Sequence, residues 1–244
     1  MSGLYQIGQS LVVVVLLTCI IPAEAGTPTY ILTDLGVLPG YDSSAALGVN
    51  DAGEVVGDSS FIYFDEYGNN AMDRVACLWS DGMVLGLGQP DGDNTVAEAI
   101  NSSGIVVVHT DNSPTYVRSY VWDDGSLIPL GSLGASALAL DINDAGTVVG
   151  WSTYVPPEGS PETHAFSWAN GTTTSLGYIG SSTDAMAINN SGQIVIEHWL
   201  VDGEKWTDIG MRGDDINDFT QNQRFHADCR RGVRTYRVLA RRGS

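Results

Sequence analysis

The 244-residue chain contains only three cysteines, Cys19, Cys77 and Cys229. So few thiols cannot form the disulfide network that stabilises many small secreted domains, and stability therefore has to come from a buried core. Cys77 lies in the apolar run Val75–Trp79 and is predicted to be a small buried hydrophobic residue. The sequence leaves a Cys77–Cys229 bridge open, although no spacing supports it.

Charge is scarce, and basic charge is scarcest. Charged residues make up 16% of the chain, against about a quarter in an average protein, and 29 Asp and Glu oppose 11 Lys and Arg. The resulting net charge of −18 repels phosphate backbones, so no nucleic-acid partner is predicted. With 43% apolar residues, 29 glycines and 9 prolines, the composition fits neither a disordered segment nor a coiled coil.

Long hydrophobic runs are also missing. The longest, residues 10–21, has about twelve residues and is too short to span a bilayer comfortably. Pro22 and the small-x-small triplet Ala23-Glu24-Ala25 follow it. This order is typical of a signal peptide, so residues 1–25 are predicted to be removed and the protein to be secreted and extracellular. An uncleaved anchor is the alternative, and membrane contact is limited to this segment.

Motifs of recognisable chemistry are absent from the sequence. It contains no HExxH, Cys/His cluster, GxSxG, P-loop or GxGxxG, and its four histidines form no metal-spaced pair. We therefore predict no catalytic residues and no cofactor. One loop, Asp91-Gly92-Asp93-Asn94, offers the oxygen ligands that Ca²⁺ prefers, with an ordinary turn as the alternative. The abundant carboxylates leave a glycosidase-type pair open.

What the chain does contain is a repeat of about 40 to 50 residues with a shorter last interval. Each unit begins with a strand that ends in Ile/Val-Asn, followed by a glycine turn and a second apolar strand. The pairs are Val49-Asn50, Ile100-Asn101, Ile142-Asn143, Ile188-Asn189 and Ile216-Asn217. A small residue stands four positions before each Asn. This predicts that the first strand is innermost in a ring, where a large side chain would clash.

The third strand of each unit ends in tryptophan, and a two-residue turn leads to the fourth. The tryptophans are Trp79, Trp122, Trp168 and Trp199, and the turns are Asp81-Gly82, Asp124-Gly125, Asn170-Gly171 and Asp202-Gly203. Such dipeptides between apolar runs are the strongest short-range signal for a β-hairpin, because both residues take positive φ. We predict that the tryptophans fill the wedges between neighbouring units.

Four antiparallel strands per unit predict an all-β, β-propeller-like array in a single domain, residues 26–244. The complete repeats are placed at about 43–88, 94–131, 135–177 and 183–210. Residues 30–36 and 213–240 remain at the two ends, and together they predict a fifth blade that closes the ring and removes its edges. A ring of four blades, a β-solenoid and a stacked sandwich are the alternatives.

The C-terminal segment differs in composition from the rest. Residues 222–244 contain seven arginines and one acid, a net charge of +6, whereas residues 1–221 carry −24. One interpretation is basic closure against an acidic ring, and the other is a damaged C-terminus. The fourth repeat is also short, because Trp199 follows Gly192 by only 7 positions, against 18 to 26 in the other units.

The repeat resembles the HAF repeat family of bacterial extracellular proteins. The family's His-Ala-Phe triplet stands at His164-Ala165-Phe166, and similar stretches occur at Thr33–Gly36, Ile142–Gly146 and Ile188–Gly192. The resemblance covers roughly residues 30–210 and implies export and a repeat fold. It supplies no catalytic residue. His164, as part of the repeat, is expected to serve packing or a backbone contact.

Recognition is expected in the loops between the second and third strands, Ser59–Asp73, Thr110–Arg118 and Ser152–Thr163. They carry the aromatic residues that we predict as binding residues: Phe61, Tyr63, Phe64, Tyr67, Tyr116 and Tyr154. Exposed tyrosines among acids suit a carbohydrate or a cell-surface protein as partner. The sequence thus predicts a monomeric, exported, non-catalytic binding scaffold. A polysaccharide-acting hydrolase or lyase and a truncated copy without function are the alternatives.

Overall fold

The computed structural model describes residues 31–92, 94–110, 116–179 and 183–209, together with the backbone of Val14–Val15. The predictions for the signal-peptide cleavage site, for Cys229 and for the closing segment 213–240 fall outside these described residues. The described chain is made of β-strands and one short 3-10 helix, Pro90–Gly92. No helix in the described part is long and apolar enough to cross a membrane.

The strands form four antiparallel four-stranded sheets that follow chain order, preceded by a short pair, β1 (Val14–Val15) and β2 (Leu32–Thr33). Sheet 1 contains β3 (Ser43–Val49), β4 (Val55–Phe64), β5 (Asn70–Ser80) and β6 (Met83–Gly88). Sheet 2 contains β7 (Thr95–Ile100), β8 (Val106–Thr110), β9 (Ser119–Asp123) and β10 (Ser126–Pro129). Sheet 3 contains β11 (Ala137–Ile142), β12 (Val148–Tyr154), β13 (Glu162–Ala169) and β14 (Thr172–Gly177). Sheet 4 contains β15 (Ala185–Ile188), β16 (Ile194–Ile196), β17 (Trp199–Asp202) and β18 (Lys205–Asp208). The predicted all-β, propeller-like array is confirmed.

The repeated asparagine forms the turn between the first and second strands. Asn50 Oδ1 accepts hydrogen bonds from the N–H groups of Ala52 (3.1 Å) and Glu54 (3.0 Å), and Gly53 takes a φ of +83°. Both hydrogen bonds recur at Asn101 and Asn189, and the second recurs at Asn143, which accepts from the Thr147 N–H. An asparagine that bonds its own downstream backbone mimics a turn, and glycine supplies the positive φ. The Asn-x-x-Gly spacing is therefore the local code for this corner.

The predicted hairpin turns between the third and fourth strands are present in three sheets. Asp81-Gly82, Asp124-Gly125 and Asn170-Gly171 take positive φ at both residues, as a two-residue turn that matches strand twist requires. In sheet 4 the prediction was wrong. Asp202 pairs with Lys205, so the turn is Gly203-Glu204 and only Gly203 has a positive φ, of +59°.

The assignment of Trp199 to the repeated tryptophan position was wrong as well. In the first three sheets each tryptophan pairs with the first residue of a second strand: Trp79 with Val55, Trp122 with Val106 and Trp168 with Val148. In sheet 4 that place belongs to Val201, which pairs with Ile194. Trp199 instead begins β17, because a two-residue turn joins β16 to β17 and Glu197 adopts a φ of +51° there. The short fourth repeat is thus a complete sheet.

Neighbouring sheets pack face to face, and each interface has its own apolar cluster. Val56 and Val108 belong to the cluster between sheets 1 and 2, Phe166 to that between sheets 2 and 3, and Ile196 to that between sheets 3 and 4. The tryptophans pack against these clusters as predicted, at Trp122, Trp168 and Trp199. Among the described residues, no apolar cluster joins sheet 4 to sheet 1.

The first strands of the four sheets are innermost, because β3, β7, β11 and β15 contact one another in succession. Their small residues Ala97, Ala139 and Ala185 are fully buried. Two second-strand glycines approach this layer so closely that a Cβ would have no space. A Cβ on Gly57 would overlap the carbonyl oxygen of Ala45, and a Cβ on Gly150 would overlap that of Leu138.

The sulfur of Cys77 is buried and free. Its thiol lies 3.5 Å from Ser59 Oγ, and burial raises its pKa above the ordinary thiol value. The prediction that Cys77 serves as a small buried hydrophobic residue agrees with this position.

Candidate functional site

A groove of about 490 Å³ lies beside the hairpin of β4 and β5. β6 ends at Gly88, opposite Ala76, so no strand of sheet 1 covers the β5 edge that precedes Ala76. The groove occupies this region and is lined by Phe61, Tyr63, Met72, Asp73, Gln89, Gly92 and Asn94. Its volume falls in the usual range for small-molecule sites.

Two side-chain amides replace the missing strand partner of β5. Asn94 Oδ1 accepts a hydrogen bond from the Arg74 N–H (3.0 Å), and Asn94 Nδ2 donates to the Met72 carbonyl (2.9 Å). Gln89 Nε2 donates to the Arg74 carbonyl (3.0 Å) and to Asp73 Oδ1 (2.8 Å). The floor of the groove is therefore fixed by hydrogen bonds that hold its polar side chains in place.

One wall of the groove is aromatic. The Phe61 ring lies 5.5 Å from that of Tyr63 and meets Tyr41 edge-on at 5.6 Å. Edge-on and tilted ring pairs at these distances are favourable, so the wall is held in place while Tyr63 stays 44% exposed.

Asp73 is the acidic group of the groove, and it has two protein donors. Gln89 donates to one carboxylate oxygen, and the Tyr41 hydroxyl donates to the other at 3.3 Å. Burial, and then the charge of Asp73, raise the pKa of Tyr41 above its ordinary value. Tyr41 therefore remains a hydrogen-bond donor, and together with Gln89 it holds the Asp73 carboxylate in place at the groove.

The structure divides the predicted binding residues between separate places. Phe61 and Tyr63 line the groove, whereas Phe64 and Tyr67 lie beyond it near the hairpin tip and are highly exposed. Tyr116 is exposed on the segment before β9, and Tyr154 ends β12 in another sheet. The predicted loop Ser59–Asp73 is mostly strand, because its β-branched and aromatic residues extend β4 and β5 and leave only residues 65–69 as the turn.

Tyr154 belongs to a second aromatic cluster, built around His164. The His164 ring lies 4.5 Å from Tyr154 and stacks on Tyr178 at 5.7 Å. Its Nδ1 is 2.9 Å from Ser175 Oγ, and its Nε2 is 3.0 Å from Glu162 Oε2. Tyr154 pairs with Glu162 across sheet 3 as Phe61 pairs with Asp73 across sheet 1. In sheet 3, however, the rings pack on one another, and His164 packs between Tyr154 and Tyr178.

Carboxylates also gather at the inner ends of the first strands, around a cavity of about 30 Å³. Asp141 accepts hydrogen bonds from the N–H groups of Ile142 and Ile188, both at 2.9 Å. Asp144 accepts one from the Ser102 N–H (2.9 Å) and one from Asn190 Nδ2 (2.6 Å). A cavity of this size holds about one water molecule, and the hydrogen bonds of these carboxylates link neighbouring first strands and the turns that follow them.

The calcium prediction falls largely outside the described residues. Asp93 is not described, and nothing is described of the Asp91 side chain. Among the residues that are described, no group of three or more His, Cys, Asp or Glu side chains could hold a metal ion.

Asp73, Gln89 and Asn94, which line the groove, were not predicted from the sequence, and neither was Tyr41, which contacts Phe61 and Asp73. Their meeting depends on where β6 ends and on how the following 3-10 turn returns to β5. No spacing in the sequence indicates either feature.

Comparison with known proteins identifies no family. No protein-family model matches the chain, and no characterised protein matches it in sequence. Among solved structures, it is similar to the β-propeller domain of the Trilobed protease from Pyrococcus furiosus, at 13% identity over 66% of this chain and 53% of that one, with a TM-score of 0.42. It is also similar to an acylaminoacyl peptidase from Pyrococcus horikoshii (14%, 80% and 30%, TM-score 0.44). A third is the Aleuria aurantia lectin in complex with Fucα1-6GlcNAc (16%, 69% and 62%, TM-score 0.37). The chain spans between 30% and 62% of the length of these three structures.

Proposed function

We propose that the chain is an exported, non-catalytic binding scaffold and that the groove beside β5 binds a neutral carbohydrate. The observation that carries this proposal is the combination, in one groove of about 490 Å³, of the Phe61 and Tyr63 rings with the carboxylate of Asp73 and the amide of Gln89. Export rests on the apolar segment and the Ala23-Glu24-Ala25 triplet that precede the repeats.

A sugar ring matches this arrangement chemically. One of its faces presents C–H groups that pack against aromatic rings, while its edge carries hydroxyl groups that need acceptors and donors. Tyr63 supplies an exposed ring, and the fixed Asp73 and Gln89 supply polar partners. The net charge of −18 disfavours an anionic polysaccharide, and this makes a neutral glycan the better ligand.

Substitution of Tyr63 by alanine is expected to weaken glycan binding at least about tenfold, because an exposed stacking surface is lost at the centre of the site. The melting temperature should change little, since Tyr63 is 44% exposed. The full chain would be screened against neutral oligosaccharides based on glucose, galactose, mannose, xylose and N-acetylglucosamine. The best ligand would then be measured by isothermal titration calorimetry.

The matched control is Tyr67→Ala, which removes the same side chain from the same hairpin outside the groove, where Tyr67 is 80% exposed. We expect this variant to bind the glycan as the parent chain does. An equal loss in both variants, or a folded chain that binds none of the glycans, would contradict the proposal. A protein ligand that binds the parent chain but not Tyr67→Ala would favour a protein partner instead.

Absence of catalysis is tested on the same oligosaccharides. We expect no release of reducing ends above that of a heat-inactivated sample, because Asp141 and Asp144 are occupied by backbone and side-chain donors. Turnover of any glycan by the folded chain would favour the hydrolase alternative.

A further inference from the structure

We propose that residues 213–240 dock between sheet 4 and sheet 1 and that, with residues 31–36 as the outer strand, they form a fifth sheet that closes the ring. The partner of the open surface is thus a segment of the same chain. The proposal stands on repeat-equivalent contacts and is independent of the groove.

The first observation is how residues 35–38 contact sheet 1. The Leu38 N–H donates to Ser59 Oγ at 3.0 Å, and the Leu133 N–H, just after β10, donates to Ser152 Oγ of sheet 3 at 2.9 Å. Ser59 and Ser152 are equivalent, since each lies two residues beyond the glycine of Val-Val-Gly. Leu38 therefore stands where the residue after an outer strand stands in another repeat.

A second pair of equivalent hydrogen bonds gives the same placement. Ser44 Oγ, at the start of sheet 1, donates to the Gly36 carbonyl at 3.0 Å, and Thr95 Oγ1, at the start of sheet 2, donates to the Gly88 carbonyl at 2.8 Å. Gly88 ends the outer strand of sheet 1. Gly36 consequently ends the outer strand of a sheet that would precede sheet 1, and three strands of that sheet remain to be supplied.

One face of sheet 4 is equivalent to the face that, in sheets 1 to 3, is covered by the following sheet. The second valine of β4, β8 and β12 is fully buried by the following sheet, at Val56, Val107 and Val149, each 0% exposed. The equivalent residue of β16 is Val195, which is only partly buried. Leu200 is its cross-strand neighbour and is also partly buried. This face opposes the one that packs on sheet 3, because side chains alternate along a strand.

A chain of hydrogen bonds between asparagines of successive sheets also supports a further sheet after sheet 4. Asn50 Nδ2 donates to the Asn101 carbonyl, Asn101 to that of Asn143, and Asn143 to that of Asn189, at 3.1 to 3.2 Å. Asn189 Nδ2 donates to Gln193 Oε1 within its own turn, as Asn50 Nδ2 also does to Glu54 Oε2. The next pair of this kind in the sequence is Ile216-Asn217, with the small residue Gly213 four positions before Asn217.

The length and the charge of the C-terminal segment fit this role. The first three strands of the four sheets span 38, 29, 33 and 18 residues, and 35 residues follow Ile209 in this chain. Residues 222–244 carry +6 against −24 for residues 1–221, so the segment is attracted to the rest of the chain. β2, which would belong to the outer strand of the fifth sheet, pairs with β1 at Val14–Val15. Removal of residues 1–25 would free this edge of β2 for pairing with residues 235–240.

The test uses the exported chain, from which residues 1–25 have been removed, with Ile216→Asp, Asn217→Ala and the matched control Asn222→Ala, which lies in the same segment outside the motif. We expect Ile216→Asp and Asn217→Ala to lower the melting temperature by about 5 °C, and Asn222→Ala to leave it unchanged. Hydrogen exchange should become at least about tenfold faster in peptides covering residues 31–38 and 194–201 in the first two variants only.

Equal melting temperatures and exchange in all three variants would overturn the proposal. If Ile216→Asp does not fold, Asn217→Ala alone decides between the outcomes. Analytical ultracentrifugation of the parent chain should show a monomer at all concentrations. A dimer that Asn217→Ala dissociates would mean that the segment docks on a second copy, which also overturns closure within one chain.

Discussion

Gly150→Ala is expected to lower the free energy of unfolding by about 3 kcal/mol or more, although glycine-to-alanine changes in an extended strand ordinarily stabilise a protein. An alanine Cβ at this position would overlap the Leu138 carbonyl oxygen and would approach Ala139 Cα to 2.9 Å. Both are backbone atoms of the innermost strand, which cannot move without opening the interface with sheet 2. Thermal unfolding followed by circular dichroism should show a melting temperature lower by about 6–12 °C.

The matched control is Gly86→Ala, the same change at another strand glycine without positive φ. The nearest atom to a Cβ there is the end of the Leu38 side chain at 3.2 Å, and that side chain can rotate away. We expect a change within about 0.5 kcal/mol. If Gly150→Ala, Gly86→Ala and the parent chain have the same melting temperature, then β11 and β12 do not approach each other as the structure indicates.

Asn101→Ala is expected to cost about 2–4 kcal/mol of unfolding free energy, because one buried side chain serves three hydrogen bonds. Its Oδ1 accepts from the N–H groups of Ser103 and Ile105, both at 3.0 Å, and its Nδ2 donates to the Asn143 carbonyl at 3.2 Å. Alanine would remove the acceptor of the Ser103 and Ile105 N–H groups and one of two donors to the Asn143 carbonyl, which also accepts from the Gly146 N–H, in a corner where Asn101 itself is 3% exposed. Urea unfolding would measure the loss as a lower midpoint at constant slope.

Asn69→Ala provides the comparison, since Asn69 also donates from its side chain, to Asp65 Oδ2 at 3.2 Å, but lies in an exposed turn. Water replaces that partner, and a loss below about 0.5 kcal/mol is expected. Comparable losses in the two variants would mean that the asparagine contacts between sheets carry no more stability than an ordinary surface turn.

Much of the fold follows from short-range rules. Asp81-Gly82, Asp124-Gly125 and Asn170-Gly171 predicted their hairpins because both residues of such a dipeptide readily take the positive φ that the turn requires. The same rule failed at Asp202-Gly203, where the turn begins one residue later because Asp202 pairs with Lys205. Register in sheet 4 depends on the two-residue turn at Glu197, and neither Glu197 nor His198 is a residue that signals such a turn.

The candidate site was less predictable than the fold. Exposed aromatic residues were found from composition, but only Phe61 and Tyr63 share a groove, since Tyr154 lies two sheets away against His164. The polar side of the groove was not found at all. Asp73 and Gln89 meet because β6 stops at Gly88, and the end of a strand edge depends on the surrounding tertiary structure rather than on a local motif.

The asparagine chain between sheets has a consequence for how such a protein can change its size. Asn50, Asn101 and Asn143 each donate to the backbone carbonyl of the next asparagine, a group that is the same whatever the other residues of the repeat are. A duplicated or deleted unit would therefore find a matching donor and acceptor at both new junctions without any compensating substitution. Repeat number can vary by whole-unit gene duplication while the rule that joins the units stays the same.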